Sequence, residues 1–104
     1  MKQPEPSLNA VKAAIQAVNT SSKGPYYATT RKDAVRAAIQ SESANFRSEL
    51  ASKSDDILSW YICVTLAKSG CLRLAAESAF RDCVNSGHKK VASLPGTDFL
   101  RTLL

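Results

Sequence analysis

The sequence predicts an all-α protein, a small helical bundle of about five helices that includes a C-terminal αα-hairpin. Apolar residues recur at helical spacing along most of the chain, and capping or breaking residues separate the periodic stretches. A chain of 104 residues with 44% hydrophobic content supports one modest core. We therefore expect a flexible N-terminal arm over residues 1–6, which contains two prolines, and a single helical domain over residues 7–104.

The first helix is predicted over residues 8–19. Ser7 is placed to cap it, and four apolar side chains then cover an arc of about 80°: Leu8, Val11, Ile15 and Val18. This stripe is the face that we expect to be buried. The run from Asn19 to Pro25 contains capping-type residues and a Gly-Pro pair, which should end the helix.

The second helix is predicted over residues 30–53, with Thr29 or Thr30 as its cap. Its apolar side chains fall within an arc of about 60°, which is narrow enough for a coiled-coil seam: Val35, Ile39, Phe46 and Leu50. No residue in the range must break a helix, but the polar stretch 41–43 could divide it. The sequence leaves open whether this region is one helix or two.

The stretch 57–67 alternates apolar and polar residues like a half-buried strand. No other segment offers a strand to pair with it, and Ser54 with two aspartates is a typical helix start. We therefore predict a buried helix over 55–69, with a strand paired across a dimer as the alternative. Gly70 then leads into a helix over 71–86, which completes the αα-hairpin, and a short amphipathic helix over 98–104 ends the chain.

The segment AVKAAIQ at residues 10–16 returns as AVRAAIQ at residues 34–40, with six of seven positions identical. On a helical wheel each copy turns valine and isoleucine inward and places a cation and a glutamine on one flank. Alanine-rich amphipathic helices use few residue types, and no third copy follows, so the match indicates a shared geometry more than a repeat array.

The formal net charge of +5 favours acidic partners. The start of the chain has no apolar signal region, and no run approaches the ~20 apolar residues of a membrane span. Three cysteines, an odd number at irregular spacing, suggest reduced thiols. We therefore expect an intracellular protein without membrane attachment, cytoplasmic or, in a eukaryote, nuclear. Such a short chain is also compatible with a phage or viral accessory protein.

The sequence offers little for catalysis or metal binding. His88 is the only histidine, and no nucleophile elbow, phosphate loop or carboxylate pair accompanies it. Together with Cys63, Cys71 and Cys83 it makes four possible zinc ligands, but their spacing lacks the short pairs of structural zinc sites. We predict a protein that is not an enzyme, with no metal and no cofactor.

Nucleic acid binding, to DNA or RNA, is the first functional hypothesis. The loop before the second helix combines cations with two adjacent tyrosines, and it contains no acid. Cations can neutralise phosphates and tyrosine rings can stack on unpaired bases. The predicted contact residues are Lys12, Lys23, Tyr26, Tyr27, Arg31, Lys32, Arg36 and Arg47.

The alternative hypothesis is a protein–protein adaptor, inhibitor or subunit that acts through exposed apolar helix faces. The sequence has more apolar faces than a small bundle needs, and one of them could be completed by an acidic protein partner or by a second copy in a homodimer. The predicted interface residues are Val35, Ile39, Phe46, Leu50, Phe99, Leu100, Leu103 and Leu104.

Overall fold

The computed structural model describes residues 4–72 and 95–104. Five helices lie in these two ranges: α1 (Leu8–Thr20), α2 (Ala28–Gln40), α3 (Ala44–Ala51), α4 (Asp55–Lys68) and α5 (Thr97–Leu103). The described residues contain no strand, and they form a small helical bundle, so the predicted all-α fold is confirmed. The predicted helix over 71–86, which would complete the αα-hairpin, lies outside the described residues.

Helices α1 and α2 form an antiparallel pair that packs through alanines. The start of α1 meets the end of α2, where the Ser7 amide donates to Glu42 Oε2 at 3.2 Å. At the other end of the pair, the hydroxyls of Ser21 and Thr30 lie 2.7 Å apart. Four fully buried alanines lie on the two helices, at matching positions of the two AVxAAIQ copies: Ala10, Ala14, Ala34 and Ala38. Small side chains allow two helix axes to approach closely, because the separation depends on the side chains at the contact.

The first helix is confirmed, but its buried face differs from the predicted one. Leu8 is 69% exposed and Ile15 is 38% exposed, whereas Ala10 and Ala14 are completely buried. The predicted stripe therefore does not form the core side of α1. The alanines face α2 because they permit the close approach, whereas Leu8 and Ile15 are left on the outside and Val18 packs partly buried against the core.

Residues 30–53 form two helices instead of one. Ser41 ends α2, and the Ser43 hydroxyl caps α3 by accepting a hydrogen bond from the Phe46 amide at 3.1 Å. Between them, Glu42 is buried and its Oε2 accepts from the Tyr61 hydroxyl at 2.9 Å. The helix divides here because a serine cap satisfies free amides at the start of α3 and the turn brings Glu42 to its partners.

The start of α2 also differs from the prediction. Tyr27 is its N-cap residue and makes no side-chain capping bond. Thr30, one of the two expected caps, lies one turn inside the helix, fully buried. Its hydroxyl is used in the contact with Ser21 at the end of α1, so tertiary packing decided its role.

Helix α4 runs through the core, and the alternative of a strand is wrong. All its residues from Leu58 to Leu66 except Trp60 are buried, so the helix has apolar contacts on most of its circumference. At its end, Gly70 adopts a φ of +87°. The Cys71 amide donates back to the Leu66 carbonyl at 2.8 Å, which is the bond pattern of a glycine C-terminal cap.

Both described ends of the chain pack on the bundle. Leu100 of α5 is fully buried. Arg101 Nη2 donates to Asp55 Oδ1 and to the Lys53 carbonyl, both at 2.9 Å. Within the predicted arm, Pro6 is buried and the Glu5 carboxylate lies 3.7 Å from Lys68 Nζ. Residues 4–6 thus lie against the body of the protein.

Candidate binding surface on the first two helices

The side of α1 that faces away from α2 carries exposed aliphatic side chains. At 100° per residue, four exposed residues fall within an arc of about 60°: Leu8, Lys12, Ile15 and Asn19. We call these four residues the α1 outer face. Val11 borders it and is half-buried. The face therefore presents a short apolar ridge with a lysine in its middle.

A shallow groove of about 330 Å³ runs between α1 and α2 next to this face. It is lined by small and uncharged polar side chains: Ala13, Gln16, Ala17, Thr20, Ala37, Gln40 and Ser41. The two glutamines of the repeated segment therefore do share one surface, as the wheel indicated. The cations expected beside them, Lys12 and Arg36, do not line the groove.

The loop between α1 and α2 also exposes large side chains. Tyr26 is 43% exposed and Tyr27 is 59% exposed. Lys23, which precedes them, is exposed, and no acid occurs in the sequence from Pro6 to Lys32. Of the exposed large hydrophobic side chains among the described residues, all lie on α1 or in this loop. The first two helices thus combine exposed apolar groups with positive charge.

Arg31 belongs to the fold and does not form part of this surface. It is only 7% exposed, and its Nη2 and Nε donate to the Cys71 carbonyl at 3.0 and 3.3 Å. Its guanidinium also lies 6.0 Å from the centre of the Tyr26 ring. The prediction that Arg31 contacts phosphate therefore needs correction, because its buried guanidinium joins the start of α2 to the turn after α4.

Two more predicted cations, Lys32 and Arg36, have contacts within the protein, and a third, Arg47, is half-buried. Lys32 Nζ and the Arg36 guanidinium lie 5.6 and 5.5 Å from the centre of the Phe99 ring. Arg36 also forms an ion pair of 2.9 Å with Asp33. Arg47 is half-buried, and its Nε is buried without a hydrogen-bond partner among the described residues. Of the predicted nucleic-acid contacts, Lys12, Lys23, Lys32 and both tyrosines remain exposed.

The apolar residues predicted to meet a partner are used inside the protein. Val35, Ile39, Leu50 and Leu100 are completely buried in the core. The other four are partly buried and pack against that core: Phe46, Phe99, Leu103 and Leu104. The Phe46 ring lies 6.0 Å from the Tyr61 ring. These residues therefore do not provide the exposed face that the interaction hypothesis requires, and the α1 outer face, which sequence reasoning missed, does.

The cysteines differ from the expectation of reduced thiols. Cys63 is disulfide-bonded, whereas Cys71 is free and buried. Burial raises the pKa of the Cys71 thiol, which lowers its reactivity.

Potential metal ligands do not converge in the parts of the chain that the structure describes. Residues 4–72 and 95–104 contain no group of three or more potential metal ligands. His88 and Cys83 lie outside these ranges. None of the described helices is long and apolar enough to cross a membrane.

Comparisons with models of protein families, with curated proteins and with solved structures found no match to this chain.

Proposed function

We propose that the chain is a non-enzymatic binding protein whose α1 outer face receives another protein, as an adaptor, inhibitor or subunit does. One observation carries this proposal: α1 buries its alanines and exposes Leu8 and Ile15. Burying an aliphatic side chain of this size contributes about 1.5–3 kcal/mol. The fold forgoes most of that contribution at Leu8 and part of it at Ile15, which lie on the same side of one helix.

The pair differs from ordinary exposed hydrophobic residues in its arrangement. Isolated surface leucines are common and need no explanation. Leu8 and Ile15 are two turns apart on one face, and half-buried Val11 extends the apolar strip along its edge. Apolar side chains at such spacing on a helix are the usual anchors of a helix-mediated contact.

Site-specific photo-cross-linking tests this proposal in the cells that make the protein. A benzophenone amino acid would replace Leu8 or Ile15 on the α1 outer face, or Ser48, which is exposed on α3. We expect one discrete protein adduct from positions 8 and 15, none from position 48, and loss of the position-8 adduct when Ile15→Glu is added. Equal adducts from all three positions, or none, would contradict the proposal.

Nucleic acid binding is the second candidate function, and the exposed Tyr26 and Tyr27 beside Lys23 support it. A single strand could stack its bases on the two rings while the lysine contacts phosphate. A mobility-shift series with single- and double-stranded DNA and RNA at two salt concentrations tests it, because binding to phosphates must weaken as salt rises. The variants Tyr26→Ala and Tyr27→Ala should weaken the shift, with Asn45→Ala as an exposed control on α3. No shift at low salt would exclude this function.

A further inference from the structure

We infer that the partner segment on the α1 outer face is an acidic amphipathic helix that lies along α1. This inference rests on the proposed function and specifies its partner. The occupant is another protein and not a second copy of this chain. Three properties of the surface lead to it: the shape of its apolar ridge, the neutral amides of the groove beside the ridge, and the positive charge of its lysines.

The shape favours a helix over a loop or an extended strand. Leu8 and Ile15 are seven residues apart, which corresponds to about 10 Å along the helix axis. The apolar contact groups lie on a single helix, which offers no open sheet edge to pair with a strand. A helix with apolar residues at i, i+3 or i+4, and i+7 can place its side chains on both sides of such a ridge.

The groove beside the ridge supplies neutral hydrogen-bonding groups. Gln16 follows Lys12 by one turn and lines the groove together with Gln40 of α2. Both glutamines are exposed, and the alanines between them keep the groove shallow. A helix resting on Leu8 and Ile15 therefore has amides at its side that can meet polar groups of either charge. The apolar ridge and the amides define the position of the partner, but not its charge.

Two lysines make this surface positive and so select the charge of the partner. Lys12 lies between Leu8 and Ile15 on the α1 outer face, and Lys23 is exposed in the loop that follows α1. The sequence has no acid from Pro6 to Lys32 to neutralise them. Complementary charge steers association and selects the partner, so glutamates or aspartates flanking the apolar strip of the partner helix fit this surface.

The same charges disfavour a second copy. If two α1 outer faces met, each copy would bring its Lys12 to a face of four residues that includes no acid. Like charges held in one interface oppose each other, and no residue of the face compensates them. An acidic partner avoids this repulsion.

Selection from an unbiased peptide library tests the inference. The full chain is immobilised, and displayed linear peptides with every position randomised are selected for binding. We expect enriched peptides to carry an apolar strip flanked by Glu or Asp. Their dissociation constants would then be measured by fluorescence anisotropy against variants of the full chain, after circular dichroism has confirmed that each variant is folded.

Two matched pairs of variants separate the contributions. Leu8→Glu should weaken binding about tenfold or more, whereas Ala44→Glu, an exposed change on α3, should not. Lys12→Glu should weaken binding about five- to tenfold, whereas Lys53→Glu in the turn between α3 and α4, with the same change in net charge, should not. A peptide in which the flanking acids are replaced by lysines should recover binding to Lys12→Glu.

The results distinguish a failure of the acidic-helix inference from a failure of the proposed function. Enriched peptides that are neutral or basic but depend on Leu8 would overturn the acidic partner and leave the proposed function intact. Peptides that are indifferent to Leu8→Glu, or no enrichment, would overturn both. Light scattering that shows twice the mass of 11.2 kDa, restored to the single mass by Ile15→Glu or Leu8→Glu, would identify a second copy as the occupant and overturn the inference. Single-stranded nucleic acid that competes with the peptides for the Leu8 surface would overturn it as well.

Discussion

Replacing Arg31 with methionine tests whether this cation belongs to the fold or to a ligand site. Methionine keeps a long flexible side chain but removes the donors to the Cys71 carbonyl, which lie at 3.0 and 3.3 Å. Loss of a charged hydrogen-bonded contact costs about 1.5–3 kcal/mol, because the buried carbonyl also loses its partner. The contact with the Tyr26 ring adds about 0.5–1 kcal/mol. The free energy of unfolding should therefore fall by about 2–4 kcal/mol.

Urea denaturation followed by circular dichroism measures this change, and the midpoint of thermal unfolding should fall on the order of 10–25 °C. Lys23→Met is the matched control, since Lys23 is exposed, and it should change stability by no more than about 0.5 kcal/mol. If Arg31→Met were as stable as Lys23→Met, the Arg31 guanidinium would contribute nothing measurable to the fold. If this variant also lost affinity for nucleic acid, Arg31 would be a ligand contact after all.

Three further predictions follow from the core. Ala14→Leu should destabilise the protein by about 1–3 kcal/mol in urea denaturation, because it forces α1 away from α2, whereas Ile15→Ala should cost less than about 1 kcal/mol, since Ile15 is 38% exposed. Burial and the neighbouring Glu42 raise the pKa of Tyr61 above that in the unfolded chain, so stability should be complete below about pH 10 and fall at higher pH, by at most about 1.4 kcal/mol per pH unit. Tyr61→Phe should remove that part of the slope in denaturation curves at several pH values. Alkylation of the unfolded but unreduced chain, followed by peptide mapping, should label Cys71 and leave Cys63 unlabelled, because Cys63 is disulfide-bonded.

For each of these three predictions, one result would contradict it. If Ile15→Ala were the more costly change, the apolar stripe predicted for α1 would face the core after all, and the α1 outer face would not be exposed. An unchanged alkaline slope in Tyr61→Phe would assign the loss of stability to other groups. Labelling of Cys63 without reductant would restore the expectation of reduced thiols.

Much of the helical layout could be predicted because its signals are local. Ser7 caps α1 by accepting from the Ala10 amide, and Gly70 ends α4 with a positive φ, as their residue types indicated. Helix α4 could be recognised in spite of its alternating pattern, because a single strand would leave its backbone groups unpaired. The break at residues 41–43 could only be named as an option. It depends on Glu42 reaching Tyr61 of α4, which is distant in the sequence.

The candidate site was predictable only in part. The exposed tyrosines in the loop and the shared flank of Gln16 and Gln40 followed from position along the chain and on the wheel. Arg31 was misassigned because a cation near a loop and a cation buried against a distant carbonyl have the same local sequence. The carbonyl it contacts belongs to Cys71, forty residues away.

The repeated segment separates what sequence alone determined from what tertiary structure decided. The sequence determined that AVKAAIQ and AVRAAIQ both form helices with the same wheel, and both bury the same two alanines. Only the packing decided the rest: α2 lies against α1, α4 and α5, so its Val35 and Ile39 are enclosed. In α1 the corresponding Val11 and Ile15 are half-buried and exposed, because the close alanine contact directs them away from α2. The same residues are core in one helix and candidate binding surface in the other, since burial at these positions depends on the neighbours of the helix as well as on its own sequence.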